Sequence, residues 1–231
     1  MNRTELTGVA GVPETAVSEA LLARLPANQA PAPWECVCEA VVWLGRGGRA
    51  ASRALPPALR DGTTGLAVIG AMVRYLETPV GPYDEVLGMV GARTGLRPWG
   101  SVAFMSVDSE ASLVGGRTNW AMPKTLGAFE GDIGHGRTIA GTGADGTRWR
   151  VSATPKVFGP AVPVRTIGSA RQEFPGHRVG GSRLRARGRV RPALVTVEVE
   201  SDGPLPTWLR PGRHLGAVVE SATFSLEEPR F

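Results

Sequence analysis

Short apolar runs separated by glycine- and proline-rich breaks occupy most of this chain, and their spacing predicts strands rather than long helices. Residues 34–44, rich in Val, Trp and Cys, read as a first strand, and residues 65–77 as a long apolar second one. The turn at Pro79, Gly81 and Pro82 leads into a third strand, which carries Glu85 near its start beside Val86 and Leu87. Residues 92–100 read as a loop and residues 101–108 as a fourth strand. Ser109 then caps a short helix over 109–117 whose apolar side is Ala111, Leu113 and Val114, and Pro123 turns the chain before Lys124. In the second half, residues 138–143 and 147–153 flank Ala144-Asp145-Gly146, a hairpin signal. A proline-broken segment over 157–164 follows, then strands over 178–190, 193–200 and 214–226, with a turn or short helical piece over 204–209. Near the start, Pro13 and Pro26 bracket a short helix over 14–25, residues 28–33 form a linker, and residues 49–59 make one or two helical turns. This divides the chain into an N-terminal extension, 1–33, and one domain, 34–231. Connections this short fit an antiparallel sheet better than a parallel one.

Composition supports that reading. Among 231 residues there are 31 Gly and 19 Pro, and the apolar runs recur throughout, so the chain is a turn-rich folded protein large enough to bury a core. The net charge of +5 permits an anionic substrate without requiring nucleic acid. No run approaches the 18 or so apolar residues of a membrane span and no leader pattern opens the chain, so a soluble, cytoplasmic protein is expected. Cys36 and Cys38 point to one face of the first strand, too strained a pair to bridge, and are expected as free buried thiols.

The basic residues are unevenly chosen. Of 26 Lys plus Arg only two, Lys124 and Lys156, are lysines. Lys124 sits between Met122-Pro123 and Leu126-Gly127, and an amine held by apolar neighbours is the kind of group that serves as a carbonyl nucleophile. The plainer alternative is a stem that covers apolar surface. Other constellations carry less. Gly115-Gly116 lacks the spacing of a phosphate-binding loop. His135, His177 and His214 share no ligand spacing, and no serine lies in a nucleophile elbow. Arg183, Arg185, Arg187, Arg189 and Arg191 alternate, placing five guanidiniums on one strand face. Without interleaved aromatics or a reading helix, that face reads as solvated or as paired with carboxylates rather than as a nucleic-acid site.

Two stretches, Gly81-Pro-Tyr-Asp-Glu85 and Ala111-Ser-Leu-Val-Gly-Gly-Arg-Thr-Asn-Trp-Ala-Met-Pro-Lys-Thr-Leu-Gly127, resemble the acetoacetate decarboxylase family. The resemblance runs diffusely from about residue 34 to the C-terminus. It implies a mostly β (α+β) fold, an antiparallel sheet closed into a barrel-like or cone-shaped shell with Lys124 projecting into an apolar interior. It implies assembly into a homo-oligomer and no cofactor. Lys124 falls on the family's Schiff-base lysine and Glu85 on its active-site glutamate. The implied activity is lyase chemistry on a small oxo acid, β-keto acid decarboxylation in the first place. The alternatives are aldol or dehydration chemistry on a pyruvate-like oxo acid, or binding of a small molecule without catalysis. Under that reading Arg117, and after it Arg74, are candidates to grip the substrate carboxylate. Tyr83 would line the pocket, and Trp120 and Met122 would supply its apolar wall. Pro123 and Thr125 flank Lys124 where the family's decarboxylases carry a further lysine, leaving burial rather than a neighbouring cation to activate the amine.

Overall fold

The computed structural model describes residues 3–231, with side chains from residue 5. Helix α1 (Arg3–Thr7), a single 3-10 turn (Pro13–Thr15) and α2 (Glu19–Arg24) come first, so the one helix expected over 14–25 is two pieces. Strand β1 (Trp34–Arg46) follows, then α3 (Arg49–Ala54) and α4 (Pro57–Arg60) on either side of Pro56. Strands β2 (Ala67–Glu77), β3 (Tyr83–Thr94) and β4 (Arg97–Val107) form a meander. The expected loop at 92–100 is instead the end of β3, a tight turn at Gly95 (φ 58°) and the start of β4. Helix α5 (Glu110–Trp120) leads to β5 (Lys124–Gly131), β6 (Ile139–Gly143) and β7 (Trp149–Val157). Asp145 and Gly146, both at positive φ, make the β6–β7 hairpin turn. Strand β8 (Val162–Phe174), the long β9 (Arg178–Ser201), α6 (Leu205–Trp208) and β10 (Gly212–Leu226) complete the chain.

All ten strands belong to one sheet in the order β10-β1-β2-β3-β4-β5-β6-β7-β9-β8. The barrel-like or cone-shaped closure expected from the sequence is not what forms. Strand β9, 24 residues long, pairs with β8 through Arg178–Val190 and with β7 through Ala193–Ser201, so the sheet branches there, with ends at β10 and β8. Further pairings, β10–β9 and the single Gly100–Ala170 step between β4 and β8, fold this branched sheet over without making one simple ring. Two pairings are parallel: β4 beside β5, with α5 as the crossover, and the single Gly100–Ala170 step between β4 and β8.

Both faces of the central strands are buried, each in its own cluster. One includes Val41, Trp43, Met72, Val86, Phe104, Trp149 and Val195. The other includes Trp34, Cys36, Cys38, Tyr75, Tyr83, Met105, Leu113 and Trp120. Strand β1 contributes to both because its side chains alternate between faces, with Trp34, Cys36, Cys38 and Ala40 in the second cluster and Val41 and Trp43 in the first. Helices α1, α2 and α5 add Leu6, Leu21, Leu22, Leu113 and Val114 to the second cluster. Lys124 therefore lies in this second cluster, under α5, and not inside a barrel. No helix among the described residues is long and apolar enough to cross a membrane.

Candidate active site

The site is assembled where β3, β4, β5 and α5 meet. Glu85 pairs with Val107 across β3–β4, and Met105 pairs with Lys124 across β4–β5, so two short lateral steps bring residues 85 and 124 together. Helix α5 sets where β5 begins. Ser109 caps its N-terminus by accepting from Ser112 N–H. Ala121 adopts the left-handed conformation (φ 50°), and the last turn closes with Ala121 N–H on the Arg117 carbonyl and Met122 N–H on that of Gly116. Pro123 prevents the helix from resuming, and Lys124 starts the strand.

Lys124 is buried with its side chain 4% exposed, beside Glu85 at 1%. Its Nζ lies 2.9 Å from Glu85 Oε2. That approach is an ion pair by distance only; its angles are not those of a hydrogen bond, and Oε2 has no aligned donor. Lys124 Nζ instead donates to Ser112 Oγ at 2.8 Å and, at 3.4 Å, to the Tyr83 hydroxyl. The other carboxylate oxygen, Oε1, accepts from the Tyr75 hydroxyl at 3.1 Å. Tyr75 and Tyr83 are directly paired across β2–β3, with ring centroids 4.4 Å apart. The amine also lies 5.0 Å from the Tyr83 ring centre and 6.0 Å from that of Trp34.

The glycine pair of α5 makes room for this arrangement. A Cβ at Gly116 would stand 2.5 Å from Lys124 Cδ and 2.6 Å from Cε, and one at Gly115 would stand 2.5 Å from the Trp34 ring. The pair is there for close approach of a lysine stem and an indole.

The other expected site residues are placed as follows. Trp120 is buried, packs edge-on against Trp34 and donates its indole N–H to the Glu227 carbonyl. Met122 is buried in the same cluster, and its carbonyl accepts from Lys124 N–H. Arg117 is buried, but its guanidinium turns to the main chain. Nε donates to the Lys124 carbonyl at 2.6 Å, Nη1 to Leu6 O at 2.5 Å and Nη2 to Thr15 O at 2.6 Å. Burial pushes this guanidinium down to about 10, so it is charged at neutral pH, and it ties α1 and the Pro13–Thr15 turn to the start of β5. Arg74 alternates with Tyr75 along β2 and faces away from the site. It grips both Asp84 oxygens and Asp132 Oδ1, each at 3.0 Å. Ser112, inside the 111–127 stretch but given no role there, and Tyr75, Trp34 and Cys36, outside both motifs, also belong to the constellation. Tyr75 was reachable only through its register with Tyr83.

Cys36 and Cys38 are free and buried. Burial pushes both thiols up from 9.0 to about 12, with the Glu85 carboxylate adding to the rise. Burial and then Glu85 likewise raise the Tyr75 and Tyr83 phenols well above their usual range. Unfolded, these acids lose their protons from about pH 9 upward, whereas folded they keep them, so the unfolded chain binds fewer protons and stability falls as pH rises. Arg117 opposes this, since its folded value is depressed, but it is one group against four. The urea midpoint is therefore expected to be lower at pH 10.5 than at pH 8, with neither thiol labelled in the native protein at pH 8; equal midpoints would contradict the burial argument.

The chain matches the family model described as acetoacetate decarboxylase (ADC) over residues 46–183, a span that includes both Glu85 and Lys124. No curated protein matches it. Among solved structures, an acetoacetate decarboxylase is 16% identical, with 100% of this chain and 97% of that one covered and a TM-score of 0.62. The enduracididine biosynthesis enzyme MppR, complexed with pyruvate, is 19% identical over 87% of this chain and 90% of that one, with a TM-score of 0.61. An acetoacetate decarboxylase-like enzyme from Sphingomonas wittichii RW1 is 18% identical over 87% and 92%, with a TM-score of 0.58. At these identities the structures share the fold, and the family follows from the model match across more than half of the sequence: this chain belongs to the acetoacetate decarboxylase family.

Proposed function

We propose that this protein is a lyase that acts on a small oxo acid through a Schiff base on Lys124, with decarboxylation of a β-keto acid as its reaction. The observation that carries the reading is the buried amine of Lys124, 2.9 Å from Glu85 and 2.8 Å from Ser112; the sequence resemblance assigns these two positions, 124 and 85, to the family's lysine and glutamate. In the proposed reaction the Lys124 amine adds to the keto carbon, and loss of water leaves an iminium. The bond to the β-carboxylate breaks, carbon dioxide departs, and its electron pair moves into the enamine. Protonation at carbon and hydrolysis release the ketone and the amine. Glu85 passes the proton released by the attacking amine to the oxygen that leaves as water, and later delivers to the enamine carbon a proton drawn from solvent; its Oε2, with no aligned donor, is the oxygen free for this. Tyr75 holds Oε1 and so fixes the carboxylate, while Ser112 and Tyr83 orient the amine.

The choice of decarboxylation rests on where the arginines go. Arg117 is committed to three main-chain carbonyls, that of Lys124 among them, and Arg74 to two carboxylates; neither hydrogen-bonds to the Lys124 amine or to the side chains of Glu85, Ser112 or the two tyrosines. A departing carboxylate is not helped by a cation that pins it, whereas an aldol reaction of pyruvate keeps its carboxylate throughout and gains from such a partner. Carbon dioxide release from acetoacetate, compared with product formation from pyruvate and an aldehyde, tests this. Acetoacetate is expected to turn over, and Glu85→Gln to slow it by about 10²–10⁴-fold. Turnover with pyruvate and an aldehyde alone would replace decarboxylation by aldol chemistry. Saturable binding without any adduct would replace catalysis by binding.

A further inference from the structure

The arginines of β9 hold a second feature, carried on strands other than those that hold Lys124 and Glu85 and independent of the proposed reaction. In the β8–β9 register Arg165 stands directly opposite Arg187. Thr223 of β10 and then Val37 of β1 continue the same row, so the four side chains lie side by side on one face. Like charges directly opposite in an antiparallel pair repel, so this placement calls for a counter-charge. Two neighbouring arginines of the strand have one. Arg185 lies 3.5 Å from Glu227 and Arg191 3.8 Å from Glu220. Among the described residues, Arg165, Arg187 and Arg189 have no ion pair, although Glu35 stands on the same face one row away, across from Ser225. Arg187 Nε donates only to the Thr223 hydroxyl, at 3.1 Å. Arg189 is opposite Ser221. A groove of about 390 Å³ opens over this spot, lined by Arg165, Arg187, Arg189, Ser221 and Thr223.

We propose that this groove binds a multivalent oxyanion of the phosphate class. Three guanidiniums present planar forks that match tetrahedral oxyanions, and two hydroxyls stand beside them. Arg185 and Arg191, on either side, each have a carboxylate within 4 Å, so the groove holds the three arginines of this stretch that lack one. A charge placed only to guard the edge strand β8 against pairing would need Arg165 alone.

Calorimetric titration of the full chain with inorganic pyrophosphate, at ionic strength held constant with sodium chloride, tests the assignment. Saturable binding is expected. The Arg165→Gln/Arg187→Gln protein is expected to lose affinity by about tenfold or more, and Arg185→Gln/Arg191→Gln, which removes the same net charge, to change it by less than about threefold. Without the anion, Arg165→Gln is expected to melt no lower than the parent, since a repulsion has been removed. Equal affinity for pyrophosphate and a nucleoside 5′-diphosphate identifies a free anion as the ligand. Tighter binding of the nucleoside form identifies a phosphorylated small molecule. No saturable heat, or equal loss in both double variants, would overturn the proposal. So would a duplex oligonucleotide that displaces pyrophosphate with an affinity that grows with its length.

Discussion

The Lys124→Ala protein is expected to lose turnover of the oxo acid by about a thousandfold or more, because the covalent route through the amine is gone. It is also expected to be less stable. Glu85 would be left buried beside Tyr75 with no cation, and removing one partner of a buried pair costs about 3–5 kcal/mol. That is a large share of the roughly 5–15 kcal/mol that hold a domain together, so a loss of activity in the single variant could be mistaken for unfolding. The Lys124→Ala/Glu85→Gln protein separates the two effects. It carries no uncompensated charge, so its melting temperature should recover relative to Lys124→Ala while turnover stays lost. Recovery of turnover together with stability would show that the lysine only balances the glutamate.

A second substitution acts on the same amine without touching it. Gly116→Ala should slow the reaction by about a hundredfold, the cost of displacing a reacting group by roughly an ångström. The added methyl would sit 2.5–2.6 Å from the Lys124 stem, and the stem is the part able to move, so Nζ would shift away from Ser112 and Glu85. Helix propensity works the other way, since alanine in place of a helical glycine gains about 0.8–1.0 kcal/mol. A protein whose melting temperature is preserved and whose adduct formation is slow is the expected result, read by stopped-flow trapping beside thermal melting. Unchanged kinetics would mean that the space above the lysine stem is not needed.

These residues show how much of the site the sequence carries. Lys124 and Glu85 stand out by motif and by the scarcity of lysine, and the helix over 109–117 and the Pro123 turn are local signals that the structure reproduces with shifted ends. The glycine pair was visible, but its purpose was not, because Trp34 and Lys124 reach it from β1 and β5. Ser112 and Tyr75 meet the pair only through tertiary placement, one from the helix above and one from the neighbouring strand. Arg117 reads as a substrate clamp next to a nucleophile, yet its partners are the carbonyls of Leu6 and Thr15, more than a hundred residues earlier, and that of Lys124. The strands themselves are legible because alternation and turn residues are local. The branching of the sheet is not, since it depends on β9 running through Pro192 as one strand and changing neighbours from β8 to β7. Two strands are expected there, with a closed shell around them, where one long strand branches the sheet instead.

The central claim is that Lys124 forms a Schiff base with an oxo acid. The chain offers an internal control, because its only other lysine, Lys156, is exposed on β7. The protein is incubated with acetoacetate or pyruvate, reduced with borohydride and mapped by peptide mass. A reduced adduct on the peptide that carries Lys124, with Lys156 unmodified, is the result expected. No adduct with either acid, or equal labelling of the two lysines, would contradict the account.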